Sequence, residues 1–230
     1  MTRTEIYVVI VAGGKGIRFG DETPKQFHRV AGKPLLMHTF EAFDLLLGKA
    51  EFILVLPEME IGRWKHLCVD YDFQWPHRIV EGGPTRFHSV KNALHFVQDR
   101  SLVFIHDAVR PLVSEETISG ALKVARIHGT AVPVVPLTDS LRQVENGISR
   151  AVSREQFRQV QTPQVFRSEL LKKAYGQTYR ESFTDDAGVI ESTGQMVHLV
   201  DGNPDNIKVT RPGDLGYVEA VLFQRNESDN

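Results

Sequence analysis

Three cations and four glycines share one short stretch, VVIVAGGKGIRFGDETPKQ, at residues 8–26. Lys15, Arg18 and Lys25 interleave with Gly13, Gly14, Gly16 and Gly20, directly after the apolar run Val8 to Ala12. Glycines at such a place let the backbone turn sharply and approach a ligand closely. Their free N–H groups can then face an anion. One cation in a turn is usually a solvated side chain. Three cations among glycines point to a polyphosphate. Spacing removes two familiar phosphate loops. Gly14 and Gly16 are followed by Phe19 where a dinucleotide fingerprint needs glycine, and no glycine begins G-x-x-x-x-G-K-[ST]. Far along the chain, Asp107 is a lone carboxylate at the end of the apolar run 102–105. A hard oxygen ligand suits Mg²⁺, and a carboxylate there can equally cap its own loop. No Ser-His-Asp or Cys-His set is evident, and no Cys/His cluster has zinc-ligand spacing.

The elements that must position these residues alternate. Apolar runs at 8–12, 52–56, 102–105 and 130–135, with a short one near Ile79 and Val80, read as strands buried on both faces. Helical patterns separate them: one opened by Pro34, one at 58–70, one ending near Val97 and one at 115–128. Alternating strand and helix predicts an α/β fold, a Rossmann-like, mostly parallel sheet with helices on both faces. Ligands of such sheets sit beyond the strand C-termini, so the strand exits at 13–25, 82–89 and 106–111 can converge.

Residues 138–160 break the alternation. Asn146-Gly147 between two β-prone runs signals a hairpin. A lone ribbon is marginal in water, so the segment 138–157 is expected to pack as a dimerisation arm on a second subunit. The chain then resumes with a helix near 168–179, a helix capped at Thr184-Asp185-Asp186, a strand near 196–200 and a last helix capped by Thr210. One domain spanning 1–230, with the arm inserted, is the expectation.

Composition bounds the function. The 230 residues are 41% hydrophobic and 24% charged, as in ordinary globular chains. A net charge of −2 argues against a general nucleic-acid binder. A single cysteine excludes an intrachain disulfide, and no apolar run reaches membrane-span length. A cytoplasmic protein with neither nucleic-acid nor membrane partners is expected.

Taken in order, A-G-G-K-G-x-R-F with P-K-Q, E-G-G-x-x-R-x-x-S-V, H-D-A-V-R-P, Q-T-P-Q-x-F, F-T-D-D-A and D-N-I-K-V-T-R-P cover nearly the whole chain. Together they closely resemble the 2-C-methyl-D-erythritol 4-phosphate cytidylyltransferase family of the non-mevalonate isoprenoid pathway. The ribitol-5-phosphate cytidylyltransferases share part of this set and are the alternative. The resemblance implies a homodimer that uses CTP, a polyol phosphate and Mg²⁺. It implies catalytic roles for Arg18, Lys25, Lys208 and Arg154. It implies a CTP site built from Ala12, Gly13, Gly14, Lys15, Gly16, Gly82, Gly83, Ser89, Asp107 and Ala108. For the polyol phosphate it implies Asp107, Arg110, Ser140, Arg154, Thr162 and Lys208, with Ser140 and Arg154 reaching into the partner's site. Asp107 is the candidate metal ligand, and Asp205 a further candidate that solvent could equally claim. Arg86 could simply orient the 82–89 loop. The family commonly has Thr where this chain has Ser140, which keeps the hydroxyl and drops the methyl.

The chemistry stands beside the resemblance. A phosphate monoester has its second pKa at about 6, so it attacks the α-phosphorus already largely dianionic. Two rival classes remain open to test. A nicotinamide oxidoreductase would share the fold class, but lacks its glycine spacing here. A catalytically dead nucleotide-binding subunit would have no reason to keep Lys15, Arg18, Lys25 and Lys208.

Overall fold

The structure, a computed structural model, describes residues 5–13, 23–46 and 48–228. Its strands are β1 (Ile6–Val11), β2 (Arg29–Val30), β3 (Lys33–Pro34), β4 (Glu51–Leu56), β5 (Arg78–Glu81), β6 (Leu102–Asp107), β7 (Thr130–Pro136), β8 (Leu141–Glu145), β9 (Ile148–Val152), β10 (Arg158–Val160), β11 (Gln164–Arg167) and β12 (Leu199–Asp201). Its helices are α1 (Leu35–Glu41), α2 (Glu58–Asp70), α3 (Arg86–Leu94), α4 (Glu115–His128), α5 (Ser168–Tyr175), α6 (Asp186–Glu191) and α7 (Gly213–Ser228).

Among the described residues, one sheet runs in the order β10-β7-β11-β6-β1-β4-β5, with β12 beside β7. The pairs β1–β4, β1–β6, β4–β5 and β7–β12 are parallel, and β11 enters antiparallel between β6 and β7. Register aligns the exits. Val11 lies opposite Asp107, and Leu56 opposite Glu81. The three loops expected to converge therefore leave one edge of the sheet side by side.

Strict alternation along each central strand feeds two cores. Val8, Ile10, Leu54 and Phe104 face Phe40 of α1, Trp64 of α2 and Ile118 of α4. Tyr7, Val9, Ile53 and Ile105 face Phe87 and Val90 of α3 and Leu171 of α5. Trp64 is fully buried, and its indole N–H donates to His77 Nε2 at 2.9 Å. Such a face is worth several kcal/mol. Phe40, stacked on Trp64 at 5.9 Å, would cost about 3–5 kcal/mol as Ala.

Several boundaries differ from those the sequence predicts. α1 starts one residue after Pro34 and stops at Glu41, and a short 3₁₀ turn covers Asp44–Leu46. α3 ends at Leu94 and α5 at Tyr175. The cap of α6 is Asp185, which accepts from the Gly188 N–H, and Thr184 lies outside it. Before α7 the Asp214 carboxylate reaches back to the N–H groups of Thr210 and Arg211, so Thr210 is capped rather than capping.

β8 and β9 form their own two-stranded ribbon, outside the main sheet. Asn146 and Gly147 take φ of 48° and 78°, the left-handed pair a two-residue turn requires. Val144 and Ile148 on the ribbon, and Phe157 after it, are exposed. No helix of the described residues is long and apolar enough to cross a membrane.

Candidate active site

Asp107 ends β6 at the C-terminal edge of the sheet and is 7% exposed. Its backbone N–H donates to Thr162 Oγ1 at 3.0 Å, which fixes the carboxylate's origin. Three cations surround it. Lys208 Nζ lies 2.9 Å and Arg110 Nε 3.3 Å from Oδ2, and Arg86 Nε lies 3.5 Å from Oδ1. Burial alone would raise this carboxyl's pKa. Arg86 first, then Lys208 and Arg110, outweigh that and hold it far below the usual carboxylate range. The carboxylate is therefore ionised throughout the working pH range.

Each cation is held differently. Arg110 passes its Nη1 to the Asn206 carbonyl at 2.7 Å. Burial pushes its pKa down, against the pull of Asp107. Arg86 is gripped by Asp186 through both Nη groups, at 2.9 and 2.7 Å. Burial works against its charge, but Asp186 and then Asp107 drive its pKa well up. Lys208 has the most freedom, with a side chain 42% exposed. Behind them the His106 imidazole is fully buried, and burial lowers its pKa to about 4. It is neutral at pH 7, bridging Thr162 Oγ1 and the Arg110 carbonyl.

Lys25 arrives from the other side of the site. It opens a 3₁₀ turn whose next residues, Gln26 and Phe27, are buried. Gln26 Nε2 donates to the Ala12 carbonyl at 3.4 Å, and Phe27 stacks on Trp64. Lys25 Nζ donates to the carbonyl of Val209, the residue after Lys208, at 3.2 Å. A cavity of about 160 Å³ is lined by Ala12, Gly13, Lys25, Arg86, Asp107, Ala108 and Lys208. A second, of about 480 Å³, is lined by Arg110, Gln161, Thr162, Gln164, Thr184 and Asp185, and again by Arg86, Asp107 and Lys208. Those last three residues form a common wall.

Beside the smaller cavity the β1 and β5 exits abut. Gly83 donates its N–H to Ser89 Oγ at 3.1 Å, and Ser89 Oγ donates to the Thr85 carbonyl at 3.0 Å. A Cβ at Gly13 or Gly82 would lie 3.0 or 3.2 Å from the same Oγ, and one at Gly83 would overlap His88 at 2.3 Å. Only glycine lets these backbones come so close. Ser89, expected to touch nucleotide, is buried, and both of these hydrogen bonds of its hydroxyl lie within residues 83–89.

The structure thus brings together Ala12, Gly13, Lys25, Asp107, Ala108, Arg110, Thr162 and Lys208, with Gly82, Gly83 and Ser89 alongside. Gly14, Lys15, Gly16 and Arg18 lie outside the described residues. Ser140 and Arg154 are exposed on or beside the ribbon, and Arg154 Nη1 donates to the Thr138 carbonyl. They line neither of these two cavities. Asp205, the further metal candidate, accepts from Tyr217 Oη through Oδ1 at 2.5 Å. Sequence reasoning missed Asp186 and underrated Arg86. Both stand in quoted motifs, E-G-G-x-x-R and F-T-D-D-A, but 100 positions apart, so nothing local joins them.

A mostly parallel α/β sheet whose strand exits gather cations around two adjoining cavities suits a nucleotidyltransferase. The family model for "IspD: 2-C-methyl-D-erythritol 4-phosphate cytidylyltransferase" matches residues 6–224. The chain belongs to that family. It is 50% identical over 215 residues to 2-C-methyl-D-erythritol 4-phosphate cytidylyltransferase of Bacteroides thetaiotaomicron, covering 94% of this chain and 98% of that protein. The Bacteroides fragilis counterpart is 47% identical over 222 residues, covering 96% of this chain and 100% of that protein. The crystal structure of the Thermus thermophilus enzyme of the same name superposes with a TM-score of 0.78 at 34% identity, covering 96% of this chain and 100% of that one.

Proposed function

We propose that this chain transfers CMP from CTP to 2-C-methyl-D-erythritol 4-phosphate, giving 4-diphosphocytidyl-2-C-methyl-D-erythritol and pyrophosphate in isoprenoid precursor synthesis. One observation carries the reading: two cavities share a wall of Arg86, Asp107 and Lys208 in a chain whose family relatives bear this activity in their names. The smaller cavity, with the glycine exits and Lys25, takes the triphosphate. The larger, with Arg110 and a polar floor, takes the polyol phosphate.

An oxygen of the acceptor phosphate forms a bond to the α-phosphorus of CTP, and the bond from that phosphorus to the bridging oxygen breaks. The electron pair leaves with pyrophosphate. No proton need be removed from an acceptor that is already dianionic. The task is positioning and charge neutralisation. Lys208, on the common wall, reaches the phosphorus where both substrates meet. Lys25 neutralises the departing phosphates, together with Lys15 and Arg18.

Mg²⁺ fits this reading as the counter-ion that CTP brings with it. Both oxygens of Asp107 already face cations, and no group of three His, Cys, Asp or Glu among the described residues could hold a metal. We assign Asp107 to holding Lys208, and as a lone carboxylate it is also the candidate protein ligand for the ion. Magnesium commonly binds through one or two carboxylates plus substrate phosphates, so the phosphates can supply its ligands here.

The reading also includes a homodimer. The ribbon stands outside the main sheet with apolar side chains exposed, and Ser140 and Arg154 sit on or beside it and line neither of those two cavities. A second copy would bury the ribbon and receive both residues. Cytoplasmic location accompanies a CTP-dependent reaction.

The test is pyrophosphate release from CTP with either methylerythritol 4-phosphate or ribitol 5-phosphate. A kcat/KM favouring the first by about 10–200-fold is expected, the size of discrimination by a methyl-sized difference in a pocket. Preference for ribitol phosphate would overturn the assignment.

A further inference from the structure

Asp186 has no exposed surface, yet it grips a charged partner whose other edge faces the site. Besides the two bonds from Arg86, its Oδ1 accepts from Tyr175 Oη at 2.5 Å. Tyr175 is itself fixed, 2% exposed with its ring stacked on Phe87 at 4.6 Å. Gln164 clamps the same turn, donating to Asp185 and accepting from the Ala187 N–H. With one N–H of each Nη held by Asp186, Arg86 faces Asp107 through its Nε, at 3.5 Å. Asp107 Oδ2 remains with Lys208 at 2.9 Å.

An arginine fork fits a carboxylate through two parallel bonds, whereas lysine is a point charge on a flexible stem. Released from Asp186, Arg86 would take Asp107 in that bidentate way and displace Lys208. We propose that Asp186 and Tyr175 are positioning residues for the transfer: they hold Arg86 off Asp107, so that Asp107 is left to hold Lys208 at the wall between the two cavities. This deepens the function proposed above and rests on it. The role explains why a carboxylate with no access to substrate lies behind a cation that lines both cavities.

The test compares Asp186→Asn, Arg86→Met/Asp186→Asn and the wild type by kinetics and crystallography. Asp186→Asn is expected to lose at least about tenfold in kcat, with KM for CTP within about threefold, because Lys208 acts in the transition state. The double variant removes the competing fork as well, and is expected to regain about threefold or more over the single one. In crystals of Asp186→Asn, Arg86 should lie bidentate on Asp107, with Lys208 displaced. Near-wild-type kcat in the single variant, a double variant no faster, or Lys208 still against Asp107 would each overturn the inference. If Asp186→Asn does not fold, Tyr175→Phe keeps both charges and should lose about threefold in kcat at unchanged KM; wild-type kcat there overturns it too. Wild-type turnover controls for the substrate assignment. The crystal structures need no turnover, so a wrong substrate and a wrong role for Asp186 fail separately.

Discussion

Replacing Lys208 by Met should separate catalysis from stability. At 2.9 Å the ion pair with Asp107 is close, but the lysine side chain is 42% exposed, so solvent screens it. Such pairs contribute about 0–1 kcal/mol to folding. The variant also leaves no orphaned charge, since Arg86 and Arg110 still face Asp107. At this chain length a loss of 1 kcal/mol lowers Tm by about 2–4 °C. The catalytic cost is larger. A charge aimed at a developing anion in a closed site is worth about 3–4 kcal/mol. At 1.36 kcal/mol per decade, that is a loss of about 10²–10³ in turnover. Because the interaction strengthens in the transition state, kcat and kcat/KM should fall together with KM for CTP little changed. Continuous pyrophosphate detection gives the kinetics and a thermal melt gives Tm. Turnover within about threefold of wild type would remove Lys208 from the mechanism, and a Tm drop beyond about 8 °C would recast it as structural.

Three further outcomes follow from the same geometry. Burial depresses His106 from its ordinary range to about 4, so between roughly pH 6.5 and 4 the unfolded chain binds the proton that the folded one refuses. Its contribution to stability is complete above that window and falls by about 3 kcal/mol across it; urea unfolding at pH 7.5 and 4.5 should show a shallower loss for His106→Gln than for wild type. Chelating divalent ions with EDTA should abolish turnover and Mg²⁺ restore it, since two unscreened polyanions repel; full activity in metal-free buffer contradicts this. Mixing Arg154→Ala with Lys25→Ala chains, with subunit exchange verified by mass spectrometry, should raise activity towards half of wild type per mixed dimer if the arm acts in trans. A cis arrangement gives no gain.

Elements with a full period of their own were legible in the sequence. Helices at 58–70 and 115–128 carry two or more turns, and the strand read at 52–56 is a continuous apolar run; the structure places the helices there and starts the strand one residue earlier, at Glu51. Asn146-Gly147 announced its turn because few other pairs tolerate two positive φ angles. What was not legible depends on partners far along the chain. β10 and β11 have three and four residues, too few to show a period, and their antiparallel pairing is set by β6 and β7. At α6, Thr184 and Asp185 are both competent caps, and the chain's path chose the second. In the site, Lys25 was legible from its glycine-rich neighbourhood and Asp107 from its place at a strand exit. The bridge from Arg86 to Asp186 was not, because it exists only after the β5 exit and the turn before α6 have folded onto the same face of the sheet.

Why a site that binds two polyanions should keep buried carboxylates is a question of geometry over charge. Counting alone, Asp107→Asn makes the common wall more positive and should tighten CTP binding. Asp107, however, lies among three cations that would otherwise repel one another. Arg110 is anchored by Asn206 and Arg86 by Asp186, so only Lys208 depends on Asp107 for its place. Cations already in position need no reorganisation as charge develops, and that is where such sites gain rate. Breaking a buried, hydrogen-bonded ion cluster by removing one partner also costs about 3–5 kcal/mol in stability. Asp107→Asn is therefore expected to bind CTP as well as wild type or better by calorimetry, to melt lower, and to turn over at least about a hundredfold more slowly. A variant with weaker CTP binding and unchanged turnover would show that Asp107 serves affinity and leaves the placement of Lys208 to other groups.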